Sequence, residues 1–154
     1  MRLVIQRVTF AAVDVEGVRI AEIDKGLLIL VGITQDDDDR IAFQLAEKCV
    51  NLRIFSDENE NMNLSLRDVN GKILAVSQFT LYADCRRGRR PSFIKAARPE
   101  VAEKIYLSFV KSLRGLGVEV ETGKFGAMMK VSLCNDGPVT IFLDSDELKN
   151  SANG

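Results

Sequence analysis

The chain has 154 residues, of which 46% are hydrophobic and 28% are charged, as is typical of a globular protein. Its 21 basic and 22 acidic residues give a net charge of −1. That charge excludes a globally basic nucleic-acid-binding protein and restricts any polyanion site to a local patch. The chain contains no histidine, which excludes Ser-His-Asp and Cys-His catalysis and zinc sites that need imidazole.

Cysteine usage and hydropathy predict a cytoplasmic protein that needs no metal or cofactor. The three cysteines are far apart and form no CxxC pair, which fits a reducing compartment and offers no zinc ribbon. Arg7 interrupts the N-terminal apolar run before it reaches the length of a signal-peptide core. No stretch approaches the roughly 18 apolar residues of a membrane span, so we expect no membrane partner.

The first third of the chain is rich in β-branched residues and predicts strands. Residues 2–8 and 11–15 predict one long strand or two short ones. Residues 18–23 alternate between apolar and polar side chains and predict a return strand. Residues 27–33 form a continuous apolar run, which predicts a strand that is buried on both faces.

Two amphipathic helices are predicted. A run of four acids at residues 36–39 favours a helix N-terminus over a metal site, because aspartate caps helices and complements the helix dipole. Apolar residues behind the run recur at helical spacing and predict a helix over residues 37–52. A second helix is predicted to begin at Pro99 and to end at Gly115 or Gly117.

The remaining segments predict further strands and two hairpins. Asn70-Gly71 is a strong hairpin signal between residues 66–69 and 72–79, and residues 135–138 predict a second hairpin turn. The last strands are predicted at residues 118–121, 128–134 and 139–143. This order predicts one α+β domain over residues 1–148 and a disordered tail over residues 149–154. Its sheet is largely antiparallel, open or curled into a barrel, with the helices outside.

A basic segment follows the middle of the chain. It contains no acid between Asp84 and Glu100, and its arginines are Arg86, Arg87, Arg89 and Arg90. The segment favours a phosphate clamp, because guanidinium forks match phosphate oxygens, over a solvated loop that pairs with acids elsewhere. Phe93 in the same segment is a stacking surface for a base or a packed side chain.

Two further segments can carry chemistry. Ser77 and Gln78 end an apolar strand, so that one of the two side chains must point inward or into a cleft. Thr80 offers a hydroxyl, but without a histidine no base is evident that would activate it as a nucleophile. Residues 125–129 combine an aromatic, small residues and thioethers, which fits core packing better than the lining of a pocket.

Together these segments resemble the D-aminoacyl-tRNA deacylase family, also called D-tyrosyl-tRNA deacylases. The resemblance runs from Met1 to about Leu143 and is carried by Ser77-Gln78-Phe79-Thr80 and by Asn135-Asp136-Gly137-Pro138-Val139-Thr140. It implies a small antiparallel β-barrel with flanking helices, built as a homodimer with active sites at the interface. It also implies hydrolysis of the ester of D-tyrosyl-tRNA and other D-aminoacyl-tRNAs, and of glycine mischarged on tRNA, which releases free tRNA.

The resemblance also implies how the family excludes L-amino acids. The Gly137–Pro138 bond would be cis, anchored by Arg7 and inserted into the partner's active site across a two-fold interface. Carbonyls of this motif would occupy the place that an L side chain needs, so the selection is a rejection. The adenosine and the ester would be framed by Ser77, Gln78, Phe79, Phe125 and Met129.

The implied chemistry needs no histidine. Backbone N–H groups near Phe79 and Thr80 would stabilise the oxyanion, and the 2′-hydroxyl of the terminal ribose would assist the cleavage. An older family proposal makes Thr80 the nucleophile, but it lacks a base, so we expect a supporting role for Thr80. The arginines Arg86, Arg87, Arg89 and Arg90 would bind phosphates of the acceptor stem.

Two other functions stay open on the sequence. The basic segment alone fits an RNA- or DNA-binding module without catalysis. Related deacylases with a trans Gly-Pro bond edit a different mischarged tRNA, one that carries L-alanine. Arg7 favours the cis form, because the resemblance ties Arg7 to holding that bond.

Overall fold

The structure is a computed structural model that describes residues 1–151 of the chain. Eight strands and three α-helices follow one another within this range. The strands are β1 Arg2–Val15, β2 Val18–Ile23, β3 Gly26–Gly32, β4 Phe55–Ser56, β5 Met62–Leu64, β6 Lys72–Ser77, β7 Val120–Thr122 and β8 Lys130–Asp144. The helices are α1 Asp39–Asn51, α2 Pro99–Gly115 and α3 Ser145–Ser151, and a 3₁₀ helix covers Phe79–Tyr82.

The sheet is organised around β1, which is one long strand rather than two. It pairs in antiparallel fashion with β2 and β3 and, on its other side, with β8. Strand β3 pairs in parallel with β6, and β6 pairs in parallel with β7. The result is a nearly closed, barrel-like sheet with flanking helices. The predicted α+β barrel is confirmed, with two parallel pairs in a sheet that we expected to be largely antiparallel.

The core has two layers, one on each face of the sheet. Leu27, Ile29 and Val31 of β3 pack with α1 and α2, whereas Leu28 packs into a second cluster on the opposite face. The prediction that β3 is buried on both faces is therefore confirmed. Apolar burial is the main favourable contribution to folding. Strand β3 contributes side chains to both layers of the core and so joins them.

The helix termini follow the sequence signals. The Asp38 side chain accepts the Ile41 N–H at 2.9 Å, which confirms that the acidic run begins α1. Helix α2 has proline in its first turn and ends at Gly115. Asp37 has a role that the sequence did not indicate. Its carboxylate binds the buried ammonium group of Met1 at 2.7 Å.

The predicted hairpin at Asn70-Gly71 is wrong. Residues 66–69 form turns rather than a strand, and the Leu66 side chain points into the core. Gly71 leads into β6, where the Lys72 N–H donates to the Lys25 carbonyl at 3.1 Å. The turn signal itself is correct, but β6 takes β3 as its partner because its apolar side chains need burial on both faces.

The second predicted hairpin, at residues 135–138, is also wrong. The two flanking segments belong to one strand, β8, and both pair with β1. The residues between them bulge out of the ladder instead of reversing the chain.

The C-terminal prediction needs correction as well. Residues 149–151, predicted as the start of a disordered tail, lie in α3. The rest of the predicted tail, residues 152–154, lies outside the described residues. Within residues 1–151, no helix has both the length and the apolar character that a bilayer crossing requires.

Candidate active site

A cavity of about 630 Å³ opens where β3 and β6 end. Its walls come from these strand ends, the 3₁₀ helix, the start of α2 and the segment that precedes β8. The walls are mostly apolar, and the predicted site residues among them are Ser77, Gln78, Phe79, Phe125 and Met129. The structure therefore brings together the two segments around Gln78 and Phe125, which are about 50 residues apart in the sequence.

The polar side of the cavity lies where β6 passes into the 3₁₀ helix. Ser77 and Gln78 both line the cavity, and the Gln78 backbone N–H donates to the Val31 carbonyl at 2.8 Å. The Gln78 side-chain amide donates to the Thr80 hydroxyl at 2.5 Å. An amide is no base, so this contact orients Thr80 without activating it.

The aromatic side of the cavity is partly exposed. Phe79 and Phe93 meet edge to face with ring centroids 5.0 Å apart, and Phe79 is 58% exposed. Phe125 lines the cavity from the opposite segment and packs against Tyr106. Exposed aromatic faces at a cavity suit stacking with a planar ligand. Residues 125–129, whose composition alone favoured core packing, are cavity lining, as the family resemblance implied for Phe125 and Met129.

The second motif forms a bulge in β8. Gln6 of β1 pairs with Thr140, whereas Val8, two residues later, pairs with Asn135. The single residue Arg7 therefore lies opposite residues 136–139, and the Gly137–Pro138 peptide bond within them is cis. We refer to residues 136–139 as the β8 bulge.

Arg7 donates hydrogen bonds from two nitrogens of its guanidinium. Nε donates to the Asp136 carbonyl at 2.8 Å, and Nη1 donates to the Ile54 carbonyl at 2.7 Å. The side chain is only 11% exposed, and the Asp136 carboxylate lies 3.9 Å from Nε. Because a largely buried guanidinium needs such partners, Arg7 ties the β8 bulge to the loop after α1.

Only glycine fits at position 137. Its φ is +145°, a conformation that side chains rarely adopt. A Cβ there would lie 2.8 Å from the Val139 backbone nitrogen and 3.2 Å from Nη2 of Arg7. Gly137 and Pro138 are exposed, and among residues 1–151 the cavity lining does not include them or Arg7. Within one chain, the two motifs are therefore not brought together.

The arginine loop, residues 85–91, projects from the rim of the cavity. Two backbone hydrogen bonds between Asp84 and Ser92, of 2.8 and 2.9 Å, close its base, and Phe93 follows as cavity lining. Arg86 bonds back to the Asp84 carboxylate, and these hydrogen bonds hold the pKa of Asp84 well below its usual range. The other arginines of the loop, all exposed, are Arg87, Arg89 and Arg90.

Comparison with known proteins identifies the chain. A family model described as D-Tyr-tRNA(Tyr) deacylase matches residues 4–144. The chain belongs to this family. The predicted family and its enzyme class, a deacylase, are thus confirmed. A D-aminoacyl-tRNA deacylase of Thermosipho africanus is 56% identical over 148 residues, which cover 96% of this chain and 99% of the relative. One of Koribacter versatilis is 59% identical over 145 residues, covering 94% and 97%.

Solved structures agree on the fold. A c-Myc DNA unwinding element binding protein matches with a TM-score of 0.89 and 41% identity, covering 94% of this chain and 98% of that one. A probable eukaryotic D-amino acid tRNA deacylase matches with a TM-score of 0.79 at 18% identity, covering 92% and 97%. At that identity the second likeness shows the fold alone.

The sequence left the role of one site residue open and gave no sign of another. The sequence allows two roles for Phe93, and the structure places it in the cavity wall against Phe79. The Asn135 side chain bonds to the backbone of Val139, across the β8 bulge. The Asn-Asp-Gly run indicates only a turn, and the actual partner of Asn135 depends on a pairing register that local sequence does not specify.

Proposed function

We propose that the chain hydrolyses the ester bond of D-aminoacyl-tRNA, with D-tyrosine and other D-amino acids as substrates and glycine as a tolerated one. The products are free tRNA and the free amino acid. We assign the activity to one domain over residues 1–148 that acts in the cytoplasm. Family membership over residues 4–144 and the cavity beside β6 are the observations that support this.

The cavity is proposed to bind the 3′-terminal adenosine together with the ester. A volume of about 630 Å³ is within the range of small-molecule sites. The Phe79 and Phe93 pair and Phe125 offer faces for the adenine, while Ser77 and Gln78 offer polar groups near the ester. Met129 supplies an adaptable apolar wall.

The chemistry is proposed to use the substrate's own 2′-hydroxyl. The chain has no histidine, and burial raises the pKa of the Cys49 thiol, so this cysteine offers no nucleophile. Phe79 and Thr80 begin the 3₁₀ helix, where N–H groups have no acceptor within the helix. These N–H groups are suited to stabilise the oxyanion, so that Thr80 supports catalysis through its backbone.

The chiral selection is proposed to need a second copy of the chain. Gly137 and Pro138 are exposed and do not line their own chain's cavity. Strand β8 that carries them pairs with β1 on one side only, within residues 1–151, so its other edge is open to a partner. In a two-fold dimer each β8 bulge enters the other chain's cavity, where its carbonyls exclude an L side chain.

The arginine loop is proposed to bind phosphates of the acceptor stem. The loop lies next to the cavity, because Phe93, two residues after it, lines the cavity wall. A tRNA whose 3′ end is bound in the cavity would need phosphate contacts at such a place. Arg86 already bonds to Asp84, so we expect Arg87, Arg89 and Arg90 to contribute more to binding.

Hydrolysis of D-Tyr-tRNA and L-Tyr-tRNA by the purified, metal-stripped protein tests the proposal. We expect rapid loss of the D ester and slow loss of the L ester. Loss of both esters at similar rates would contradict the chiral selection. Binding of tRNA without loss of either ester would favour the alternative, a nucleic-acid-binding module without catalysis.

A further inference from the structure

The β8 bulge interrupts the ladder between β1 and β8. Two consecutive pairs, Gln6 with Thr140 and Val8 with Asn135, enclose residues 136–139 on the β8 side. Val139 therefore has no paired residue in the register of β1, although it is buried. Backbone groups in such a place need another partner, because an unpaired buried N–H or C=O is costly.

The Asn135 side chain supplies that partner. Its Oδ1 accepts the Val139 N–H at 2.7 Å, and its Nδ2 donates to the Val139 carbonyl at 3.3 Å. A side-chain amide carries the same donor and acceptor as a peptide group, so Asn135 replaces the missing strand at this point. The base of the bulge is closed by two hydrogen bonds across four residues.

The same amide also fixes the next residue. Nδ2 donates to the Thr140 hydroxyl at 3.1 Å, and the Gln6 amide donates to that hydroxyl at 3.4 Å. On the opposite side, Arg7 donates to the Asp136 carbonyl at 2.8 Å. The bulge is therefore held at both ends, which leaves Gly137 and Pro138 as its exposed middle.

We propose that Asn135 is a positioning residue for chiral selection: its amide fixes the direction of the Gly137 and Pro138 carbonyls. The inference rests on the proposed function, which makes those carbonyls the group that rejects L-amino acids. Asn135 is not part of the cavity lining and is assigned no contact with the substrate. It acts only through the geometry of the bulge.

Two substitutions separate this role from others. Asn135→Ala removes both partners of the Val139 backbone, whereas Asn135→Asp keeps an acceptor and loses the donor. The matched control is Asn51→Ala, because the Asn51 side chain also donates to a backbone carbonyl, that of Glu47, but on the exposed end of α1. A Thr140→Val variant removes only the hydroxyl and should have a smaller effect.

The experiment measures hydrogen exchange of the Val139 amide by NMR and the ratio of kcat/KM for D-Tyr-tRNA over L-Tyr-tRNA. In Asn135→Ala we expect Val139 exchange to rise and the D/L ratio to fall, each about tenfold, while kcat for the D ester changes little and the thermal midpoint falls by only a few degrees. Asn135→Asp should show the same direction, and Asn51→Ala should match the wild type in both.

Each outcome decides one claim. Unchanged exchange at Val139 in Asn135→Ala would overturn the closing role of the amide. Faster exchange with an unchanged D/L ratio, or with D and L rates that fall in parallel, would overturn the positioning role. A wild-type protein that does not discriminate D from L would instead overturn the proposed function, and the exchange measurement would still decide whether Asn135 holds the bulge.

Discussion

The cavity beside β6 and the β8 bulge present different chemistry to a ligand. The cavity offers aromatic and thioether side chains, such as Phe79, Phe125 and Met129, around a small polar corner. The β8 bulge offers backbone, which Arg7 and Asn135 hold through hydrogen bonds to carbonyl and amide groups. Stacking and apolar contacts tolerate many ligands, whereas a backbone group at a fixed position excludes any ligand that needs the same space.

The difference suggests a division of work between two copies of the chain. Under the proposed function, the cavity recognises adenosine and need not distinguish amino acids, and the bulge excludes L side chains and need not bind D side chains. Substitutions in the two regions should therefore impair the activity in different ways, and substitutions outside them should leave the ratio of D to L hydrolysis unchanged.

The largest loss of stability is expected away from both regions. Asp37→Asn removes the charge that compensates the buried Met1 ammonium, at a cost of about 3–5 kcal/mol in the free energy of unfolding. The folded fraction should keep its D/L ratio, because neither the cavity nor the bulge changes. Urea unfolding together with the two hydrolysis rates checks this. The matched control is Asp36→Asn, at an exposed acid with an expected change within about 0.5 kcal/mol.

A methyl group at position 137 should damage the bulge. Gly137→Ala places a Cβ 2.8 Å from the Val139 nitrogen at a φ of +145°, so the neighbouring backbone must move. In the proposed dimer the displaced backbone obstructs the partner's cavity, so we expect kcat/KM for D-Tyr-tRNA to fall by roughly 100-fold, about 2.7 kcal/mol. The comparison is Gly17→Ala, also at positive φ but in open space in the turn between β1 and β2, which should cost about 1 kcal/mol of stability without loss of activity. Equal activity of the two variants would contradict the role of the bulge.

Truncation of an aromatic wall should weaken binding without changing selection. Phe79 is 58% exposed, so Phe79→Ala removes a stacking face with little effect on the core. Loss of base stacking costs about 1–3 kcal/mol, which we expect as a rise in KM of roughly tenfold for D-Tyr-tRNA and glycyl-tRNA alike. Phe43→Ala on α1, a similarly exposed aromatic at 45%, serves as the control. A changed D/L ratio in Phe79→Ala would contradict the proposal that the cavity binds the substrate and the β8 bulge selects its chirality.

Reversal of one charge in the arginine loop should have the smallest effect of these substitutions on activity. Replacement of Arg87 or Arg89 by Glu should weaken tRNA binding and reduce the slope of log K against log salt by about 1 for each phosphate that is no longer bound. Arg86→Glu should do less, because Arg86 bonds to Asp84. Hydrogen bonds from Arg86 lower the pKa of Asp84. The ion pair between Arg86 and Asp84 is therefore complete at any pH above the ordinary carboxylate pKa, and it is lost only when the pH falls well below that value. An unchanged KM and salt slope would contradict the phosphate contacts.

Local signals predicted the elements better than their partners. The acidic run does cap α1, and the continuous apolar run does form a strand buried on both faces. Both hairpins failed for one reason: a turn signal at residues 70–71 or 136–137 specifies a bend, but not the strand with which the next segment pairs. That choice depends on burial and register across the sheet.

The site shows the same limit. The roles of Gln78 and Thr80 were inferred from two short motifs and a family resemblance, and their contact lies within one turn. The contact of Arg7 with Asp136 joins residues 129 positions apart, so the family resemblance indicated it and the local sequence did not, and the Asn135 amide bonds to Val139 only because β8 bulges. Neither the direction of the bulge nor its absence from its own cavity can be read from local sequence.

Complementation between two inactive variants tests the central claim most directly. Gln78→Ala impairs the cavity and Gly137→Ala impairs the β8 bulge, so each purified protein should hydrolyse D-Tyr-tRNA poorly. After the two are unfolded together and refolded at equal concentration, about half of the dimers should be mixed, each with one intact site, which restores about a quarter of wild-type activity. No recovery above the two separate proteins would contradict an active site built from the cavity of one chain and the bulge of another.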